Sequence, residues 1–250
     1  MTDWNKFINF HKGSIPLLFS VPHGGSLEYE EIPNRRTGIL GSDKNTIELV
    51  LDLYQIISEL TSKTPSYVIA NLRRSKIDFN REEKKAFPAN SKSARSIYRE
   101  YHKKLKELVC YNIETFNYSL LIDFHGFEKH KRPQGFRDVE LILGTRNLET
   151  LFKNPVFKKD WGNNIRGKII KEFLKLNINI APGHPRRKEY VLTGGYIVQQ
   201  YGASNISKSQ SIQIEFSDRI RLYDTDLKQK VLEHLARILC KIFFSTNHNE

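Results

Sequence analysis

Cysteine, methionine and long apolar runs are nearly absent from this sequence of 250 residues. Its two cysteines, Cys110 and Cys240, are too few for a disulfide framework or a cysteine-rich zinc site. No apolar run approaches the roughly 18 residues that a membrane-spanning helix needs. The start of the chain, MTDWNKFINF, includes Asp3 and has no apolar stretch of the secretory type. We therefore expect a reduced, cytoplasmic chain that folds as one domain over residues 1–250 and has no membrane partner.

Acidic residues are scarce relative to basic ones, since 28 Asp and Glu against 40 Lys and Arg give a formal net charge of +12. A positive surface attracts anions, so nucleic acid is one partner to consider. The basic residues, however, form short dispersed clusters, for example at 73–76 and 186–188. We interpret the charge mainly as a solvated surface and do not favour nucleic-acid binding. The sequence leaves the oligomeric state open.

Short apolar segments alternate along the chain with amphipathic segments, which predicts an α/β fold. Buried strands are expected at residues 15–21, 67–70, 118–124, 139–143 and 211–216. Helices are expected at residues 45–60, 92–116, 165–176 and 226–243. Ser42 or Asp43 is expected to cap the first helix. Apolar strands joined by helices are typical of a mixed, mostly parallel sheet with helices on both faces, here in a single domain.

Two histidines stand where predicted strands end. His23 follows the first strand in the segment Pro22-His23-Gly24-Gly25, and His125 closes the third strand. Ligands in such sheets bind at the carboxyl ends of the strands, so we expect the two imidazoles to lie close together. Histidine and carboxylate ligands that leave one position open are typical of catalytic zinc. Asp123 shares a strand face with His125 and can accept the distal N–H of that imidazole.

Two imidazoles need a third protein ligand, and two carboxylates are candidates. Asp43 is preferred because it opens a helix soon after the first loop, and Glu28 comes next. An ordinary helix cap is the alternative role of Asp43. His184, in the segment Pro-Gly-His-Pro, is a weaker candidate to face the site. The remaining histidines are expected at the surface: His11, His102, His130, His234 and His248.

Glu215 is the candidate general base. It lies between Ile214 and Phe216 in the last predicted strand, where a carboxylate is costly unless it is paired or used. Zinc lowers the pKa of water toward about 7, so a nearby carboxylate can take the proton and deliver it to the leaving nitrogen. The structural alternative is an ion pair with Arg219 or Arg221.

Two loops carry candidate substrate contacts. Arg81 can bind a substrate carboxylate through two hydrogen bonds, or polarise the scissile carbonyl. Asp78 and Asn80 are expected to hold the Arg81 loop, and an Asp78–Arg81 pair is the structural alternative. A glycine turn later in the chain exposes its backbone. The candidate substrate-binding residues are Asn80, Arg81, Gly194, Gly195 and Tyr196.

The order of these motifs resembles that of the N-formylglutamate amidohydrolase family. The similar segments are 20–25, 42–43, 78–81, 122–126, 194–196 and 213–215. The resemblance implies a zinc-carboxypeptidase-like fold and zinc-dependent hydrolysis of an amide bond in an N-acyl amino acid or small peptide. It matches His23 and His125 to the zinc-binding histidines. It also matches Glu215 to the catalytic glutamate and Arg81 to the arginine that contacts the substrate.

Two positions depart from the wider pattern. Ser26 stands where zinc carboxypeptidases have a glutamate ligand, three residues after the first histidine. Leu192 and Thr193 precede the paired glycines, where formylglutamate-cleaving members typically carry a basic residue. The resemblance therefore implies the type of reaction, and it leaves the acyl group and the amino acid open.

Two other functions remain alternatives to a zinc amidohydrolase. The first is a nuclease in which Asp123 and Glu215 hold Mg²⁺ and the basic surface binds phosphates. Mg²⁺ prefers all-oxygen sites, whereas the two histidines favour zinc. The second is a binding protein that has this fold without catalysis.

Overall fold

The computed structural model describes residues 6–132 and 138–244. Its strands are β1 (Ile8–His11), β2 (Leu17–Val21), β3 (Ser66–Ala70), β4 (Ser119–Phe127), β5 (Leu141–Gly144), β6 (Ile180–Ala181) and β7 (Ser209–Ser217). Its helices are α1 (Thr46–Thr61), α2 (Glu83–Ala86), α3 (Lys92–Phe116), α4 (Ile165–Lys175), α5 (Tyr196–Tyr201) and α6 (Thr225–Phe244). The strands form one seven-stranded sheet in the order β1-β3-β2-β4-β7-β5-β6.

The sheet is mixed and mostly parallel, as the sequence predicted. Strands β2, β3, β4 and β7 pair in parallel, and β6 pairs in parallel with β5. The antiparallel pairs are β1 with β3 and β5 with β7. The carboxyl ends of β2, β4 and β7 therefore meet at one edge of the sheet, where a ligand site is expected.

Helices cover both faces of the sheet, which confirms the predicted layers. One apolar core lies under α1, α4 and α6, and the other lies under α2, α3 and α5. The alternation along β4 shows why: Leu120 and Ile122 enter the first core, and Leu121 enters the second. Because β4 is buried on both faces, a polar side chain in it must find a partner inside the protein. Among the described residues, no helix has the combination of length and apolar character that crossing a membrane requires.

The observed elements agree with the predicted ones at most positions. The exceptions are the short elements β1, β6, α2 and α5, which the sequence analysis did not predict. The predicted cap of α1 is wrong. Asn45 occupies the N-cap without a side-chain hydrogen bond, and the Ser42 hydroxyl donates to the Gly25 carbonyl instead. The Asp43 carboxylate points away from the helix end, toward the sheet.

Candidate active site

His23 and His125 are brought together by the parallel pairing of β2 and β4. His23 lies two residues beyond the end of β2, and His125 lies near the end of β4. The chain then bends at Pro22 and His23 and passes so close to Asn71 at Gly25 that any side chain there would collide with the Asn71 backbone. Glycine at this position therefore allows His23 to stand at the sheet edge.

Asp43 completes a buried cluster with the two histidines. The two Nδ1 atoms lie 3.1 Å apart. Asp43 Oδ2 lies 3.6 Å from Nδ1 of His23 and 3.4 Å from Nδ1 of His125. One potential ligand atom from each residue lies within 4.8 Å of the others. This group could bind a metal ion.

The far nitrogens of both imidazoles are held by carboxylates. Asp78 Oδ1 lies 2.7 Å from Nε2 of His23, and Asp123 Oδ2 lies 2.8 Å from Nε2 of His125. A carboxylate at Nε2 places the proton there and leaves a lone pair on Nδ1. The two Nδ1 atoms, 3.1 Å apart and beside the Asp43 carboxylate, are stabilised by positive charge between them, which a proton supplies in the metal-free protein and a cation can replace. The donor set therefore fits a divalent cation.

The electrostatics of the cluster also favour positive charge. Burial lowers the pKa of His125, but the negative charges of Asp123 and Asp43 raise it to about 10. Burial raises the pKa of Asp43, but hydrogen bonds with His125 and His23 hold that pKa well below its usual range. The Asp43 carboxylate thus stays charged inside the protein because a cationic partner is within reach.

The backbone fixes the Asp43 carboxylate in the cluster rather than at the helix end. Gly126 donates its N–H to Asp43 Oδ2 at 3.1 Å, and the Asp43 N–H donates to the carbonyl of His23 at 2.9 Å. The alternative ligand, Glu28, is half exposed and lies 3.3 Å from Lys76. Glu28 is therefore not part of the cluster.

Other histidines lie apart from the cluster. His184 is exposed, and its Nδ1 accepts a hydrogen bond from the backbone N–H of Arg186. His248 is outside the described residues. The prediction that His102 lies at the surface is wrong. It lies on α3 and is partly buried, with Nδ1 3.0 Å from the Tyr201 hydroxyl and Nε2 3.0 Å from the Phe79 carbonyl.

Glu215 lies on β7 directly opposite His125 on β4. Gln213 donates to its Oε1 at 2.8 Å, and Arg132 donates to its Oε2 at 3.0 Å. Burial raises the pKa of Glu215, and Asp43 adds to this effect, against the opposing charges of His125 and Arg132. A buried glutamate with a raised pKa beside a potential metal site is a suitable proton acceptor.

The expected structural partners of Glu215 bond elsewhere. Arg219 pairs with Asp224 at 2.7 Å. Arg221 donates to the carbonyls of Phe216 and Phe127, each at 3.1 Å. The alternative ion pair with Arg219 or Arg221 is therefore not formed, because both guanidinium groups are already used by other acceptors. The partner is Arg132, which the sequence analysis did not single out.

A cleft of about 660 Å³ opens above the cluster, and Asp43, His125 and Glu215 line it. Its basic lining residues are Arg74, Arg81, Lys85, Lys131, Arg132 and Arg221. Arg81 is half exposed, with Nε 3.5 Å from Asp78 Oδ2. The Asp78–Arg81 pair is thus present, and it leaves the rest of the Arg81 guanidinium open to the cleft.

The glycine turn and the Asn80 loop contact each other at the cleft wall. Asn80 Oδ1 accepts the N–H of Ile197 at 2.8 Å, and Gln213 Oε1 accepts the N–H of Gly195 at 2.6 Å. A side chain at Gly195 would collide with the Asn80 amide. The candidate substrate-binding residues Gly194 to Tyr196, together with Asn80 and Arg81, therefore line one cleft.

The chain is similar to two solved structures over nearly its whole length. One is N-formylglutamate amidohydrolase from Ralstonia eutropha JMP134, with 14% identity and a TM-score of 0.64, covering 95% of this chain and 97% of that chain. The other is the gene product Atu2144 from Agrobacterium tumefaciens, with 12% identity, a TM-score of 0.63, and coverage of 96% and 97%. Comparisons with protein-family models and with curated protein sequences gave no match. The similarity confirms, at the level of the fold, the resemblance that the motif order indicated.

Proposed function

We propose that this protein is a zinc-dependent amidohydrolase that cleaves the amide bond of an N-acyl amino acid or small peptide, with formyl as one candidate acyl group. One observation carries the proposal. His23, Asp43 and His125 place one potential ligand atom each within 4.8 Å of the others, and Glu215 lies directly opposite His125 in the same cleft. The environments of the two carboxylates also differ: hydrogen bonds to the histidines lower the pKa of Asp43 despite its burial, and burial raises the pKa of Glu215, which suits a ligand and a base respectively.

In the proposed site, His23, His125 and Asp43 hold the metal. Two imidazoles and one carboxylate are a ligand set that zinc accepts, and three protein ligands leave a position open. When bound, zinc would polarise the substrate carbonyl and lower the pKa of water. Asp78 and Asp123 orient the two imidazoles so that both Nδ1 atoms face inward.

Glu215 takes the proton from the attacking water and delivers it to the leaving nitrogen. The new bond joins the water oxygen to the carbonyl carbon, the carbon–nitrogen bond breaks, and the products are a carboxylic acid and an amine. Its raised pKa makes Glu215 a stronger base than an exposed glutamate. The side chains of Gln213 and Arg132 fix the orientation of its carboxylate.

An anionic substrate fits the basic lining of the cleft. An amino acid that bears an acyl group keeps its own carboxylate near the scissile amide. Arg81 is proposed to bind that carboxylate, and Asn80 with the turn from Gly194 to Tyr196 forms the adjacent wall. The proposed setting is the cytoplasm, where the free thiols of Cys110 and Cys240 stay reduced.

The nuclease alternative is less well supported. It requires Asp123 as a ligand, but Asp123 has no exposed surface and bonds to Ser20 and His125 behind the cleft. Of the two carboxylates that the nuclease would need as Mg²⁺ ligands, Glu215 lines the cleft and Asp123 does not.

Elemental analysis of the purified protein, combined with a panel of formyl, acetyl and peptide substrates, tests the proposal. We expect a stoichiometric amount of zinc and hydrolysis of at least one N-acyl amino acid. Chelation should abolish the hydrolysis and added zinc should restore it. Bound metal without hydrolysis across the panel would indicate a binding protein instead. Magnesium-dependent cleavage of nucleic acid, with binding that weakens steeply as salt rises, would indicate a nuclease.

A further inference from the structure

Behind His125, three polar side chains lie inside the apolar core. They are Asp123 on β4, Ser20 on β2 and Tyr101 on α3, and each has no exposed surface. Ser20 is the polar member of the fully buried strand segment LLFSV. A buried hydroxyl is destabilising unless it is hydrogen-bonded, so the Ser20 hydroxyl must find its partners inside the protein.

These side chains form one continuous hydrogen-bonded chain that ends at His125. The Tyr101 hydroxyl lies 2.9 Å from Ser20 Oγ, and Ser20 Oγ lies 2.7 Å from Asp123 Oδ1. The other oxygen of Asp123, Oδ2, lies 2.8 Å from Nε2 of His125. The chain therefore links helix α3, through strand β2, to the imidazole on β4.

The donor and acceptor properties of these groups fix which one donates in each hydrogen bond of the series. An ionised carboxylate only accepts hydrogen bonds, so Ser20 uses its single proton to donate to Asp123. The Ser20 oxygen must then accept from Tyr101. Burial and the charge of Asp123 raise the pKa of Tyr101 well above its usual value, so the phenol keeps the proton that it donates. Hydrogen bonds aligned in this way polarise and strengthen one another.

We infer that Ser20 and Tyr101 are positioning residues for the metal site: they hold Asp123 so that it orients His125 with Nδ1 toward Asp43. The inference rests on the proposed function, because it assumes that His125 binds the metal. The carboxylate behind the other histidine is held differently, since Asp78 Oδ2 lies 3.3 Å from Arg74 and 3.5 Å from Arg35.

The difference between the two carboxylates has a chemical consequence. Arginines partly neutralise Asp78, whereas the hydroxyl of Ser20 orients Asp123 without neutralising it. Asp123 therefore keeps more negative charge next to the imidazole. Such a partner makes its histidine the stronger metal ligand of the two.

Zinc affinity of the purified full-length chain, measured by competition with a chromogenic chelator, tests the inference. Asp123→Asn should weaken zinc binding by about 10–100-fold, the usual effect of losing a carboxylate behind a ligand histidine. Ser20→Ala, one hydrogen bond further from the ligand, should weaken it by about 3–10-fold, and Tyr101→Phe by about 2–4-fold, as expected for the loss of one neutral hydrogen bond. Tyr101→Phe removes a single oxygen and keeps the packed ring, so it carries the test if Ser20→Ala does not fold.

A double-mutant cycle separates this positioning role from a general loss of stability. The Tyr101 hydroxyl is hydrogen-bonded to Ser20 and not to Asp123, so Tyr101→Phe should have little further effect on the zinc affinity of the Ser20→Ala variant. Independent effects that multiply in the double variant would overturn the inference.

Two matched substitutions serve as controls. Ser66 is a buried strand serine whose Oγ accepts from Gly13 N, and the Tyr118 hydroxyl bonds to Gln210 at the opposite end of β4. Ser66→Ala and Tyr118→Phe should leave zinc affinity at the wild-type value. The inference fails if Ser20→Ala and Tyr101→Phe bind zinc as tightly as these controls. A wild-type chain that binds no zinc would contradict the proposed function instead.

Discussion

His23 and His125 face each other through their Nδ1 atoms, 3.1 Å apart, and turn their Nε2 atoms outward to Asp78 and Asp123. With a metal bound, each imidazole would donate on its far side and offer the Nδ1 lone pair on its near side to the ion. With Asp43 Oδ2 3.4 Å from His125, the three donor atoms converge on one point. This convergence is the geometry that a metal ligand set requires.

Loss of either histidine should empty the metal site. His23→Ala and His125→Ala each remove one of three ligands, so we expect the purified variants to contain little zinc after dialysis. Elemental analysis of metal per chain measures this. Glu28→Gln is the matched control, because Glu28 is half exposed and pairs with Lys76 outside the cluster. Full metal content in both histidine variants would contradict the assignment.

Replacing Glu215 by glutamine should abolish turnover while metal remains bound. The amide has nearly the same shape but cannot take a proton from water, and a positioned base contributes about 10²–10⁴-fold to rate. Steady-state kinetics and metal analysis on the same preparation test both halves of this expectation. Activity within a few-fold of wild type would remove Glu215 from the role of base.

Arg132 should set the pH at which the proposed activity is lost in acid. Its charge opposes the burial that raises the pKa of Glu215, so Arg132→Gln should raise that pKa further. Glu215 works in its deprotonated form, so the acid limb of kcat/KM should move to higher pH. Arg237→Gln is the matched control, because Arg237 is exposed on α6, pairs with Glu233 and does not line the cleft. An acid limb that stays in place or moves to lower pH in Arg132→Gln would contradict this arrangement.

His102 should make folding stability depend on pH. Burial lowers its pKa from 6.5 to about 4. Between these values the unfolded chain binds a proton that the folded chain does not. The free energy of unfolding should therefore fall by roughly 3 kcal/mol from this group as the pH drops from about 6.5 to 4. His102→Gln should show a shallower pH dependence in urea unfolding, and equal slopes for the two proteins would contradict the burial of a neutral imidazole.

The long elements were predictable from the sequence, and the short ones were not. The amphipathic pattern of α3 continues over 25 residues, which gives a clear helical period. By contrast, β6 has two residues, and β1 is an edge strand whose pattern has one fully buried position. Such segments become strands because a neighbouring strand pairs with them, and the local sequence pattern does not predict that pairing.

The residues of the candidate site were also predictable only in part. The ends of predicted strands pointed to His23, His125 and Glu215, since side chains there meet at one sheet edge. The partners behind them depend on packing between distant segments. Asp78 is 55 residues from His23 along the chain, and Tyr101 is 81 residues from Ser20. Only the folded arrangement of β2, β4 and α3 brings these groups into contact.

The most direct test of the metal site is anomalous diffraction at the zinc edge from crystals of the zinc-loaded protein. We expect one strong anomalous peak about 2.0–2.2 Å from Nδ1 of His23, Nδ1 of His125 and an oxygen of Asp43. A peak bound through Nε2 of either histidine, or at a place away from these three residues, would contradict it.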